Sequence, residues 1–192
     1  MEPSCGVGNF FGLLPESMAG SRLYGVELDS ISGRIARQLY PKADITISGF
    51  EATDRRDFYD LAIGNYQVND KAYNKLGFSI HNYFFAKSLD QVRPGGIVAF
   101  ITSRYTMDAK DSSVRRYLAQ RAELLGAIRL PNNAFRASAG TDVVSEPQSP
   151  DLVPMLHKRY YFNALVSTVN LPEQDKNIHA LLYFSSLFCY WY

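Results

Sequence analysis

The stretch Glu2-Pro3-Ser4-Cys5-Gly6-Val7-Gly8-Asn9-Phe10-Phe11-Gly12 constrains the fold more than any other part of this chain. Gly6 and Gly8 carry no Cβ, so the backbone can turn tightly there and a ligand can approach it closely. The next apolar stretch, Leu23-Tyr24-Gly25-Val26, closes on a second acid, Glu27. An acid at the end of the strand that follows a glycine turn can take the two hydroxyls of a ribose. Together these features imply an α/β domain with a pocket for a nucleoside cofactor.

A glycine loop followed by an acid also belongs to dinucleotide-binding enzymes, so a nicotinamide or flavin oxidoreductase is the rival reading. The spacing Gly6-x-Gly8-x-x-x-Gly12 is one residue longer than the GxGxxG form. The sharper difference is Glu2, whose carboxylate would repel a pyrophosphate across a poorly solvated turn. S-adenosylmethionine carries no phosphate, and its amino-acid end bears an ammonium that a carboxylate can hold. An acid ahead of GxG therefore favours the methyl donor over the dinucleotide. A plain strand-to-helix turn with a surface glutamate is the bland alternative.

A length of 192 residues suffices for one domain with a core and is short for two. Lys plus Arg is 20 against 19 for Asp plus Glu, so no global basic field exists to grip nucleic acid. Any such contact comes from a local patch or from another part of a larger protein. Cys5 and Cys189 lie far apart and nothing resembles a secretion signal, so reduced thiols and a cytoplasmic setting are expected. The apolar segment from Leu181 to Tyr192 falls short of the roughly twenty residues of a membrane span. Cys5, Cys189, His81, His157 and His179 show no metal-ligand spacing, so no metal site is expected.

Apolar runs alternate with helical patterns in a βαβα rhythm, which predicts a doubly wound sheet covered on both faces. Strands are predicted over Arg22–Glu27, Ala43–Ile47, Tyr59–Ile63, Ile97–Thr102 and Leu124–Leu130, with the fourth strand almost wholly apolar. Helices are predicted over Ser30–Leu39, Ser79–Val92 and Ser112–Glu123, the last with Asp111 as a plausible cap. Both ends read as incomplete: only Met1 precedes Glu2, and Asp142-Val143-Val144 runs into Glu146-Pro147-Gln148-Ser149-Pro150. The domain is therefore expected to span residues 1–145, with 146–192 a divergent tail foreign to it; an ordinary pair of C-terminal helices is the alternative.

Laid out in this order, the chain resembles the N6-adenine DNA methyltransferases, closest to the methylase domains of type I restriction systems and of large methylase–helicase fusions. Five matches carry the resemblance, in the family's order. Glu2-Pro3-x-x-Gly6-x-Gly8-x-Phe10 looks like its cofactor loop, and Tyr24-Gly25-Val26-Glu27-Leu28-Asp29 like its ribose-binding strand end. Gly49-Phe50-Glu51 falls where the family holds the adenine ring of S-adenosylmethionine. Tyr59-Asp60-Leu61-Ala62-Ile63-Gly64-Asn65 looks like the strand delivering the catalytic Asn, and Pro94-Gly95-Gly96 followed by Ile97–Ile101 matches the next turn and strand.

The resemblance implies methylation of adenine N6 in double-stranded DNA, with the target base flipped out of the duplex. It assigns the methionine end of the cofactor to Glu2 and the backbone at Gly6 and Gly8, counts Pro3 and Phe10 in the same cofactor-binding loop, and gives the ribose to Glu27, with an exposed helix-entry acid the alternative. Phe50 and Glu51 fall to the adenine, with simple core filling the alternative for Phe50, and Asn65 with Tyr66 fall to catalysis, with an Asn tolerated in a strand-end turn the alternative. One departure bears on activity. The family follows its Asn or Asp with Pro-Pro-aromatic or a near variant, whereas this chain reads Asn65-Tyr66-Gln67-Val68. The proline turn aims a backbone carbonyl at the N6 amine, and a misplacement of ~1 Å can cost on the order of a hundredfold in rate. Either Tyr66 serves in a divergent working loop, or the chain is an impaired or inactive cofactor- or DNA-binding module of a larger restriction-modification or methylase–helicase protein. Arg104, Lys110, Arg115, Arg116 and Arg121 could touch a DNA backbone, or form a solvated helix face. Asn69, Tyr73, Asn74, Lys75 and Phe78 follow the catalytic position and could help to hold a flipped base.

Overall fold

In the computed structural model, residues 1–65, 77–102, 104–129 and 152–158 are described. Strands β1 (Tyr24–Glu27) and β2 (Asp44–Ile47) pair in parallel. Strands β3 (Tyr59–Asn65), β4 (Val92–Ile101), β5 (Ala122–Arg129) and β6 (Leu152–Lys158) form a second ladder in the order β3-β4-β6-β5, with β6 antiparallel to its neighbours.

Met1 and Glu2 join the two ladders. The Glu2 amide donates to Tyr24 O at 2.8 Å and the Val26 amide to Glu2 O at 2.9 Å. On the other side the Met1 nitrogen donates to Leu61 O at 2.7 Å, and the Ile63 amide to Met1 O at 3.0 Å. Two residues thus fill the sheet position between β1 and β3, and the glycine loop leaves from the middle of the sheet.

Helix α1 (Asn9–Gly12) is a single turn at the end of that loop. Helix α2 (Ser30–Leu39) starts at Asp29, whose carboxylate accepts from the Ser32 amide at 2.8 Å. It buries small residues, Gly33 and Ala36, so it packs close: a Cβ on Gly33 would come within 2.8 Å of Ile47 Cγ1. Helix α3 (Ile80–Gln91) carries Phe84, Phe85 and Leu89 into the main core, where the Phe85 and Phe100 rings meet at 5.1 Å. Full burial of side chains of this kind stabilises by about 1.5–3 kcal/mol each. The short helices α4 (Arg104–Met107) and α5 (Ser113–Ala119) follow, and Asp111 accepts from the Ser113 amide at 2.9 Å.

Two expectations are corrected. Strand β4 begins at Val92 rather than Ile97, and takes Pro94-Gly95-Gly96 in through a register shift between Tyr59 and Leu61. Gly95 adopts φ 80°, and a Cβ on Gly96 would lie 3.0 Å from Asp60 O, so only glycine fits so close to β3.

The second correction concerns the boundary at residue 145. Residues 152–158, expected in a foreign tail, form β6 in the interior of the sheet, between β4 and β5. Pro154 is tolerated because the ladder with β4 ends at the pair Ala99–Met155, one residue before it. Lys158, only 3% exposed, donates to Val92 O at 2.7 Å and to the Asp57 carboxylate, tying β6 to the start of β3. The remainder of the expected tail lies outside the described residues.

Candidate functional site

The site lies at the carboxyl ends of the parallel strands, where open α/β sheets hold their ligands. The loop leaving Glu2 is pinned by the Cys5 amide on Val26 O at 2.9 Å and by the Gly8 amide on Cys5 O at 2.7 Å. Its two key glycines have different reasons to be glycine. Gly6, at φ 54°, faces ground where a Cβ would meet no atom of the described residues within 4 Å. Gly8, at φ 89°, sits against Tyr40, and a Cβ there would come within 2.6 Å of the ring. Gly6 therefore keeps an approach open, while Gly8 closes the packing beneath it.

Glu27 is 8% exposed and binds the loop directly. One carboxylate oxygen accepts from the Gly6 amide at 2.7 Å and the other from the Asp29 amide at 2.8 Å. Each oxygen keeps a further lone pair for a hydroxyl donor. Glu2 is 3% exposed, and its Oε2 has no hydrogen-bond partner among the described residues. Burial holds its carboxyl well above the usual carboxylate range; the Met1 ammonium opposes this shift and the Glu27 charge adds to it. The same burial, helped by both glutamates, pushes the Cys5 thiol up to about 12, so it is no nucleophile here.

Asn65 ends β3, half-buried and in register with Ile101. Its neighbour Gly64 lies against the loop: a Cβ there would stand 3.5 Å from Pro3 Cδ and 3.8 Å from Glu2 Cγ. The fold thus brings Glu2, Pro3, Gly6, Gly8, Glu27 and Asn65 to one end of the sheet. Phe10 sits on α1, half-buried, at the exit of the same loop.

Phe50 and Glu51 occupy a 3-10 turn that begins beside Glu27, since the Ser48 amide donates to Glu27 O at 2.9 Å. The Phe50 ring is 4% exposed and packs on Phe84 at 4.9 Å, with Lys87 Nζ 5.4 Å from its centroid. It belongs to the main core. Glu51 is exposed, and its carboxylate folds back over Gly49, leaving no room for a Cβ there. Tyr66, Asn69, Tyr73, Asn74 and Lys75 lie outside the described residues, whereas Phe78 meets the Tyr117 ring at 5.3 Å.

Within the basic cluster, Arg115 is bonded to Ala109 O at 2.7 Å, and Arg121 to Asp90 and the Tyr117 hydroxyl. Lys110 and Arg116 are exposed. Sequence reasoning missed Thr102 and Thr106, two buried hydroxyls 2.9 Å apart just past the end of β4. The only signal was a hydroxyl closing an otherwise apolar run.

No group of three or more His, Cys, Asp or Glu that could hold a metal occurs among the described residues. Nor is any helix among them long and apolar enough to cross a membrane.

No family model matches the chain. It is 30% identical over 177 residues to Defense against restriction protein B of Escherichia phage P1, a match covering 82% of this chain and 8% of that protein. It is 37% identical over 65 residues to Type II methyltransferase M.CvrRI of Paramecium bursaria Chlorella virus XZ-6E, covering 34% of this chain and 17% of that protein. The chain thus spans only a small part of the curated relatives it matches. Among solved structures, one from Listeria monocytogenes assigned to the class I S-adenosylmethionine-dependent methyltransferases superposes with TM-score 0.65 at 18% identity, over 95% of this chain and 61% of that one. A TehB-like S-adenosylmethionine-dependent methyltransferase from Corynebacterium glutamicum gives 0.52 at 18% identity, over 82% and 78%. The fold is that of the class I S-adenosylmethionine-dependent methyltransferases.

Proposed function

We propose that this chain is a methyltransferase domain that binds S-adenosylmethionine and acts on adenine N6 in DNA, as part of a larger restriction-related protein. The observation that carries the reading is that the carboxyl end of the parallel strands gathers Glu27, bonded to the Gly6 amide, Glu2, packed beside Gly64, and Asn65, which ends β3. These residues fit the cofactor. The unpartnered buried oxygen of Glu2 suits an ammonium, and the spare lone pairs of Glu27 suit a ribose diol. Bound there, the cofactor supplies an electrophilic methyl group. Asn65, at the end of β3, offers its side-chain oxygen to one N6–H of a flipped adenine, which favours the pyramidal and nucleophilic form of that amine. The names of the two curated relatives support a DNA substrate, one being a type II methyltransferase and the other a protein of defence against restriction.

A second reading rests on one observation: no proline follows Asn65. On that reading the chain keeps the cofactor or DNA contact while the chemistry is weakened or lost. Transfer of radiolabelled methyl from S-adenosylmethionine to unmodified duplex DNA separates the two. Label in N6-methyladenine that disappears in Asn65→Ala supports the enzyme. Cofactor binding without transfer supports the binding module, and transfer that persists in Asn65→Ala overturns the assignment of Asn65.

A further inference from the structure

Glu2 is an unusual place for a charge. It lies in the interior of the sheet with 3% of its surface exposed, flanked by backbone on both sides, and its Oε2 finds no donor among the described residues. An ionised carboxylate so placed loses its hydration while Oε2 gains no hydrogen bond in return, a penalty of several kcal/mol that proteins usually avoid by keeping the group neutral. The charged and titratable groups around it do not change that balance. On β1 the Glu27 carboxylate repels a second negative charge, and in the loop the Cys5 thiol stays neutral. Among the described residues the attractive group is the Met1 ammonium, and its own burial lowers it to about 6, which weakens that attraction near neutrality. Asp60 on β3 acts on Met1.

We propose that Glu2 is a neutral acid in the ligand-free protein and releases its proton to solvent as the ammonium of the methyl donor docks against it. The balance is simple: a carboxylic acid and an ammonium ion become a carboxylate–ammonium pair plus one free proton. Binding at this site is then weaker in acid than the ion pair alone would make it, because the proton and the ammonium compete for one carboxylate. The inference rests on the S-adenosylmethionine reading of the site and goes beyond it, since a pocket of that kind could equally hold a carboxylate already ionised.

Calorimetric titration near neutral pH, in phosphate and in imidazole, measures the protons released from the difference in buffer ionisation heat. Three ligands are compared. S-adenosylmethionine and S-adenosylhomocysteine, which share the ammonium, are each expected to release about one proton per molecule bound. 5′-Methylthioadenosine, which lacks the amino-acid end, is expected to bind more weakly and release none. Glu2→Gln, neutral at every pH, is expected to lose the proton release and about tenfold in affinity for the first two ligands, with a smaller loss for methylthioadenosine. S-adenosylmethionine binding with no proton release by the wild-type protein overturns this inference and leaves the pocket reading standing. Equal release with methylthioadenosine also overturns it, by placing the proton elsewhere. No binding of any of the three overturns both.

Discussion

The carboxylate of Glu27 accepts a hydrogen bond from the Gly6 amide at 2.7 Å, so the acid that ends β1 also holds the glycine turn in its open form. Its second oxygen accepts from the Asp29 amide at 2.8 Å, which ties it to the N-terminus of α2 as well. One side chain therefore ties the loop to the start of α2 and, on the proposed reading, also takes the ribose. Glu27→Ala leaves two backbone amides without an acceptor, each at a cost of about 1–3 kcal/mol where it is buried. The expected outcome is a lower melting temperature and S-adenosylmethionine affinity reduced by at least about a hundredfold. Glu27→Gln keeps one acceptor and should lose less of both. Thermal denaturation and calorimetry check this together.

The two loop glycines are expected to respond differently to the same substitution. Gly6→Ala strains only the backbone, at ~1 kcal/mol for an alanine at positive φ, because the added methyl meets no protein atom. Its effect should fall on ligand affinity, where the methyl intrudes on the approach. Gly8→Ala adds a clash with the Tyr40 ring to the same strain, so it should destabilise the fold by more than Gly6→Ala does. Adding Tyr40→Ala to Gly8→Ala should recover part of that loss. Urea denaturation of the four proteins tests the ordering.

How far the sequence reveals this fold depends on whether a feature is local. Helix α2 is legible because Asp29 caps it and its small residues repeat at helical spacing. Strand β3 is legible because its apolar run ends abruptly at Gly64-Asn65. Strand β6 is not, because its partners β4 and β5 come earlier in the chain and Pro154 argues against a strand on local grounds. The Pro94-Gly95-Gly96 turn is absorbed into β4 by a register shift, which depends on how close β3 lies. At the site, the closeness of Glu27 to the Gly6 turn is readable because a short loop joins a strand position to the strand beside it. Phe50 is not, since an aromatic after a strand serves a core as well as it serves a ligand; here it packs on Phe84.

Strand β6 yields a test of the domain boundary. Truncation after residue 145 removes the strand between β4 and β5 and exposes the β4 edge, so the product is expected to aggregate or unfold. In the full chain, Lys158→Met breaks the bonds to Val92 O and Asp57 and should destabilise by about 1–3 kcal/mol. Asp57→Asn, at a side chain about half exposed, should cost less. Denaturation curves of these variants give the comparison; an unchanged midpoint for Lys158→Met would remove β6 from the fold described here.

The buried Glu2 carboxyl also sets a pH dependence of stability. Its folded pKa is raised above the ordinary carboxylate value by burial, so its stabilising contribution is complete below about 4.5. That contribution is lost as pH rises through the folded value, where ionisation must occur in the sheet interior. Glu2→Gln removes the ionisation. Relative to the wild type, the variant should therefore gain stability as pH is raised from mildly acidic to mildly alkaline. Chemical denaturation of both proteins across that range reports the difference, and parallel curves would show that Glu2 ionises freely.

On the proposed reading, Glu2 and the glycine turn at the carboxyl end of this sheet receive the amino-acid end of a nucleoside rather than a diphosphate. Calorimetric titration of the folded protein with S-adenosylhomocysteine and, separately, with NAD tests it most directly. The account expects saturable binding of S-adenosylhomocysteine that Glu27→Ala abolishes, and no heat from NAD. Saturable NAD binding that depends on Glu27, with none for S-adenosylhomocysteine, would contradict it.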